Sequence, residues 1–199
     1  RKRKSQRKSA VDGLEVIKWG MLNFGGPEAI IKKPELLMKI FEESAFLKIP
    51  LSAEAKRLVK EFSHLADNAF RTSEPVVKSF ERILVAPVPK FNALNEMLNT
   101  GFLEKFIPEF HSVYNRIQYD EYHLYPVDKH LLRTVQTIKK FGTAKDSSLE
   151  PLCEKIYRKL RRKKLLLWAA LLHDIGKGES EEDHSTKGAE IVKTVLTHK

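Results

Sequence analysis

The stretch Leu171-Leu172-His173-Asp174-Ile175-Gly176-Lys177-Gly178 combines an imidazole, a carboxylate and an ammonium within five positions, directly after an apolar run. An imidazole nitrogen and a carboxylate oxygen both bind divalent first-row or alkaline-earth cations. Adjacent residues at the end of a buried helix point about 100° apart, so their side chains can converge on one ion beyond the helix end. Burying such a pair is costly unless something partners it. Gly176 and Gly178 leave room for a sharp turn and for a phosphate to approach the backbone. Lys177 would stand where a phosphoryl group gains negative charge. A bare His-Asp pair can instead cap a helix and bond to itself. Two further histidines favour a metal centre over that reading: His130, at the expected start of a helix after Tyr125-Pro126-Val127-Asp128, and His184, after the acidic run 179–183. His64, His111, His123 and His198 read as ordinary histidines, with His123 close enough to His130 to support it.

These side chains need helices to carry them. Apolar residues recur at helical spacing almost throughout. Leu36, Leu37, Ile40 and Phe41 follow Pro34; Leu58, Val59, Phe62 and Leu65 follow Ser52; Val76, Val77, Phe80, Ile83 and Leu84 follow Ser73-Glu74-Pro75. Pro87-Val88-Pro89 breaks the chain. A short helix over 91–98 should end at Thr100-Gly101, and another, 102–106, should stop at Ile107-Pro108. Residues 127–141 predict an amphipathic helix with Val127, Leu131, Val135 and Ile138 on one face. Residues 152–172 predict helix, as two pieces meeting near Arg161, and 185–196 a final helix. The segment 143–151 reads as a loop. No period-two run or hairpin dipeptide stands out, so the expected fold class is all-α. The expected division is a helical region over 1–100, opening on a basic tail (1–10), and a motif-bearing domain over 101–199.

Composition narrows the function classes. An apolar fraction of 42% in 199 residues supports a folded core. The longest apolar run, 165–172, is eight residues, far short of the roughly 18 a membrane span requires. No apolar stretch behind the basic N-terminus makes a signal peptide. Cys153 stands alone, which excludes a disulfide framework and a CxxC zinc site, and a cytoplasmic setting is expected. The net charge of +10 is concentrated in the first eight residues and in Lys155, Arg158, Lys159, Arg161, Arg162, Lys163 and Lys164. Such clusters attract phosphate, yet they also form plain solvated surfaces. No aromatic residues alternate with the basic ones in the tail, which argues against nucleic acid as a partner.

The order His130, then His173-Asp174-Ile175-Gly176-Lys177, resembles the HD superfamily of metal-dependent phosphohydrolases. More narrowly, Phe106-Ile-Pro-Glu-Phe110, Gln118-Tyr-Asp120, Tyr122-His-Leu-Tyr-Pro-Val-Asp-Lys-His130 and Asp183-His184-Ser185 resemble the bacterial PII uridylyltransferase/uridylyl-removing enzymes. Phe80 to Leu84, Ala93-Leu-Asn-Glu-Met97 and Gly101-Phe-Leu103 are similar to the helical region before that family's HD domain. The resemblance covers most of 34–196 and is most specific over 107–130. It implies a helical bundle with an HD-type core and a divalent ion, Mg²⁺ or Mn²⁺, on His130, His173 and Asp174. It further implies Lys177 and His184 as catalytic groups, uridylylated PII as partner and UMP as product, in nitrogen regulation and without a membrane. It also implies a longer parent, with a nucleotidyltransferase domain before this region and two ACT domains after it. Because HD sites usually recruit a later aspartate, a C-terminally truncated HD domain with an incomplete site is expected. Two alternatives remain open: an HD hydrolase of free nucleotides or alarmones, and a helical binding module without catalysis.

Overall fold

The computed structural model describes residues 9–87, 92–117, 126–142, 151–178, 183–197 and 199. The basic residues 1–8, the Val88-Pro89 break and Phe91, the motif residues 118–125 with His123, residues 143–150 of the expected loop (whose last residue, Pro151, opens a helix), residues 179–182 and His198 lie outside the described residues. The expected helical architecture holds, in two compact units, Arg1–Phe106 and Ile107–Lys199.

The first unit opens with something the sequence reading did not anticipate. Strands β1 (Leu14–Ile17) and β2 (Met21–Phe24) pair antiparallel, with Leu14 opposite Phe24 and Ile17 opposite Met21. Leu14, Leu22 and Phe24 are buried, and the turn runs through Trp19 and Gly20, both at positive φ. Each strand is only four residues long, and Trp-Gly is not a familiar hairpin dipeptide, so the period-two signal was too short to register. The hairpin is tied to the helical body at Leu22, whose N–H donates to Pro50 O (2.9 Å) and whose carbonyl accepts from Ser52 N–H (2.8 Å).

Helices α1 (Pro27–Lys32), α2 (Leu36–Leu47), α3 (Ala53–Phe62), α4 (Asn68–Thr72), α5 (Glu74–Val85), α6 (Ala93–Asn99) and α7 (Phe102–Phe106) complete the first unit. Ser52 caps α3 by accepting the Ala55 N–H at 2.9 Å, and Asp67 caps α4 by accepting that of Phe70 at 2.8 Å. Gly101, at φ +73, turns the chain between α6 and α7 as expected of a C-terminal glycine. Phenylalanines fill the core: Phe41 stacks on Phe102 (5.4 Å between centroids), Phe70 meets Phe102 edge-on, and Phe80 lies 4.8 Å from Phe106.

At the edge of this core Glu42 of α2 gathers Lys39 (2.8 Å), Ser79 and Arg82 of α5. Burial raises its pKa, but the hydrogen bonds from Arg82, Lys39 and Ser79 outweigh burial and hold it below the ordinary carboxylate value of 4.5. A depressed carboxylate pKa gives stability that is fully present above the unfolded value and lost as pH falls through the folded one. Glu42→Gln should therefore cost about 1–2 kcal/mol at pH 7 in a chemical melt, and the difference from the unaltered chain should shrink towards pH 3. An equal deficit at both pH values would mean that shape, not charge, matters at Glu42.

The second unit carries α8 (Val127–Lys140), α9 (Pro151–Lys159), α10 (Lys163–Leu172) and α11 (His184–Thr197), with 3-10 turns at Pro108–Val113 and Ile175–Gly178. Helix α8 packs against α10, the two 3-10 turns pack against each other, and α11 lies on the second turn. Val127, Leu131, Leu132, Val135, Leu167, Leu171, Leu172 and Ile175 are buried between them. The expected apolar face of α8 is shifted at its C-terminal end: Ile138 is half-buried and Lys139 is buried in its place, where desolvation lowers the lysine pKa to about 8.

Candidate metal centre

Helix α10 ends at Leu172, together with its apolar run. His173 is its C-cap residue, and the Nδ1–H of its ring donates to the Ala170 carbonyl at 2.9 Å. That carbonyl is one of the orphans every helix leaves at its C-terminus. A carbonyl can only accept, so this bond fixes the proton on Nδ1 and presents the lone pair of Nε2, the arrangement of a ligand histidine. The chain then turns, and Asp174 precedes the 3-10 turn Ile175–Gly178.

His130 reaches the same place from α8. It lies in the first turn of that helix, where its N–H bonds to Pro126 O at 2.9 Å. Packing of α8 on α10 sets His130 Nε2 3.2 Å from His173 Nε2, with the rings edge-on at 5.2 Å between centroids. Asp174 Oδ2 stands 3.5 Å from His130 Nε2 and 3.4 Å from His173 Nε2. A point equidistant from these three atoms lies about 1.9 Å from each, close to the roughly 2.0–2.2 Å of metal–imidazole and metal–carboxylate bonds. Two nitrogens and one oxygen facing a common centre are therefore a donor set that fits a divalent cation. Among the described residues, these three are the group of histidine, cysteine and carboxylate side chains that gathers in this way.

The other two candidate residues are placed differently. Lys177 Nζ is 3.0 Å from Asp174 Oδ2, one turn along the 3-10 segment, and its side chain is mostly buried. The carboxylate oxygen that faces the two imidazoles thus also has a cationic partner. His184 is the first residue of α11 and half-buried, and it is not among the gathered three. Its backbone meets the HD segment, where α11 begins with the His184 carbonyl against Gly176.

The two glycines have a structural reason that spacing alone did not reveal. Neither is at positive φ. A Cβ on Gly176 would overlap the His184 carbonyl oxygen, and one on Gly178 would overlap the Ser112 side chain. They are glycines because the backbone of His184 and Gly188 passes against Gly176, and Ser112 passes against Gly178. Sequence reasoning also passed over Arg116, whose Nη1 donates to Gly178 O at 2.6 Å, and Ser112. Both lie in a segment with no obvious chemical motif.

Residues 127–199 match the HD domain, a family of helical metal-dependent phosphohydrolases. The chain is 37% identical over 137 residues (69% of its length) to the bifunctional uridylyltransferase/uridylyl-removing enzyme of Methylococcus capsulatus, covering 16% of that protein. It is 32% identical over 190 residues (96% of its length) to the enzyme of the same name from Ruegeria pomeroyi, covering 21% of it. The chain spans about a fifth of the length of the curated relatives it matches. No helix among the described residues is long and apolar enough to cross a membrane. Residues 127–199 carry an HD domain, and the chain is similar, over most of its length, to a segment of the bifunctional uridylyltransferase/uridylyl-removing enzymes.

Proposed function

We propose that this chain is the uridylyl-removing part of such an enzyme, hydrolysing the phosphodiester that joins UMP to a tyrosine of the PII signalling protein. The observation that supports this reading is the convergence of His130 Nε2, His173 Nε2 and Asp174 Oδ2 on one centre, in a chain similar to enzymes of that name. The HD domain is assigned to 101–199, preceded by a helical region over 1–100, in a cytoplasmic setting.

His130, His173 and Asp174 would hold Mn²⁺ or Mg²⁺, the two nitrogens favouring Mn²⁺ because Mg²⁺ prefers oxygen. A divalent ion there supplies Lewis acidity towards the phosphodiester and a nucleophile at neutral pH. Asp174 and Lys177 cancel in charge, so with neutral imidazoles the loaded site is cationic and attracts a phosphodiester anion. The Lys177 ammonium, held by Asp174, faces charge that grows on the phosphoryl oxygens and stabilises it. The leaving phenolate, with a pKa of about 10, departs with little help from an acid. His184, at the start of α11, moves a proton at the margin of the site or binds a second ion.

The test is to incubate the parent-length protein with uridylylated PII and Mn²⁺ and to follow released UMP. Release that needs the ion and leaves PII unmodified is the expected result. Hydrolysis of free nucleotides or guanosine alarmones without release from PII would move the substrate to another class. Absence of stoichiometric metal in the purified protein, with no hydrolysis, would leave only a helical binding module.

A further inference from the structure

We infer that Arg116 is a positioning residue for this site, the strut that sets the distance between the segment carrying His130 and the one carrying Asp174 and Lys177. Three bonds carry the inference. The Arg116 N–H donates to Val113 O at 3.2 Å, anchoring the residue to the 3-10 turn Pro108–Val113. Its carbonyl accepts the Val127 N–H at 2.9 Å, satisfying an orphan donor of the first turn of α8, three residues before His130. Its guanidinium reaches across 62 positions to the Gly178 carbonyl at 2.6 Å, the last residue of the turn that begins just after Asp174.

The local backbone is bent to allow this. Asn115 sits at φ +51, a left-handed conformation that asparagine tolerates better than most residues, and it reverses the chain just before Arg116. Ser112 closes on Gly178 from the same turn, so close that a Cβ on Gly178 would overlap it. One residue therefore bonds to both segments that bring ligands to the centre, adding a polar tie to the α8–α10 packing that brings His130 and His173 together. A charge-assisted bond to a carbonyl is among the stronger neutral–ionic contacts, and outer partners of this kind commonly tune metal affinity. The guanidinium does not touch the three ligand atoms, so it acts through the backbone it holds.

As a statement about metal affinity, this inference rests on the proposed metal-dependent reading; as a statement about geometry, it does not. The 199-residue chain is therefore compared with its Arg116→Met, Arg116→Gln and Arg116→Lys variants by two readouts. The first, in metal-free protein, is the nuclear Overhauser effect between non-exchangeable ring protons of His130 and His173, whose rings are 5.2 Å apart. The second is Mn²⁺ affinity by titration calorimetry. Expected are loss of the inter-ring effect and a rise of about 10–100-fold in Kd for Arg116→Met, with helical circular dichroism unchanged. Arg116→Lys, which still offers one donor to Gly178 O, should recover part of both. An inter-ring effect and affinity equal to those of the unaltered chain would overturn the inference. If the unaltered chain binds no Mn²⁺ but its inter-ring effect depends on Arg116, the strut stands and the metal reading falls. If Arg116→Met loses its helical signal, Arg116→Gln decides: it keeps a shorter donor, and normal ring proximity without reach to Gly178 would overturn the strut.

Discussion

Asp174→Asn and His173→Ala, each made in the parent-length protein, should abolish stoichiometric Mn²⁺ binding and lower uridylyl removal by 10³-fold or more. Uridylyl transfer should be spared. His173→Ala deletes one of three donors around a centre about 1.9 Å from all of them, and Asp174→Asn replaces the one anionic donor by a neutral amide oxygen, a far weaker ligand for a divalent ion. The loss should fall on kcat, because the missing chemistry acts in the transition state. Asp174→Asn is the cleaner change: the shape is kept, and only the charge facing the imidazoles and Lys177 is lost. His173→Ala also strips the cap from Ala170 O, so a stability cost of about 1 kcal/mol accompanies it. Lys177→Ala should behave otherwise. Removing an ammonium 3.0 Å from Asp174 Oδ2 takes a repelling charge away from an incoming cation, so Mn²⁺ should bind as tightly or tighter. Hydrolysis should still fall, by about 10²–10³-fold, as when one electrostatic donor is lost. Equal damage to transfer and removal would mean that these residues hold the protein together. Undiminished removal in Asp174→Asn would end the assignment.

The parts of this site that could be read from sequence are those with local chemical meaning. An apolar run that stops at an imidazole and a carboxylate marks a helix end facing something polar, and α10 ends there. A histidine one turn into an amphipathic helix can reach such an end if the two helices pack, as α8 and α10 do. What was not legible depends on pairs distant in sequence. Arg116 meets Gly178 across 62 positions, and Gly176 meets α11 through backbone, which has no residue code. The His184 carbonyl lies against Gly176, a backbone contact that the residue's type and neighbours could not foretell. In the first unit the hairpin escaped for a related reason. Its strands hold through tertiary bonds at Pro50 and Ser52, and four residues each are too few to declare a period. Along α8, helical spacing nominated Ile138 as inward-facing, but the burial stripe drifts and takes in Lys139, whose long aliphatic stem packs where a methylene chain fits.

Gly176→Ala should cost about 3–5 kcal/mol, a value confined to a few kinds of substitution, and it should act mainly by releasing α11. The added methyl would overlap the His184 carbonyl oxygen and lie 2.5 Å from Gly188 N and 2.8 Å from Gly188 Cα. All three are backbone atoms, which cannot swing aside as a side-chain tip can, so either α11 moves or the turn Ile175–Gly178 does. The turn is buried at Ile175 and Gly176 and is held by Lys177 N–H to Asp174 O at 3.1 Å. Helix α11 has only Gly188 and Val195 buried among its described residues, so it is the element that yields. Hydrogen exchange should show the amides of α11 losing protection while those of α8 and α10 keep theirs, because helices held by few buried contacts open first. The partner glycine supplies the control. A Cβ on Gly188 would come no nearer than 3.5 Å to Gly176 N, which is ordinary contact. Gly188→Ala should thus stabilise α11 by about 0.5–1 kcal/mol, the usual gain of alanine over glycine inside a helix. The two substitutions add the same methyl to opposite sides of one contact, yet they should differ in sign. If both destabilise alike, the contact is symmetric, and the close approach of α11 to the HD turn is not what requires glycine at 176.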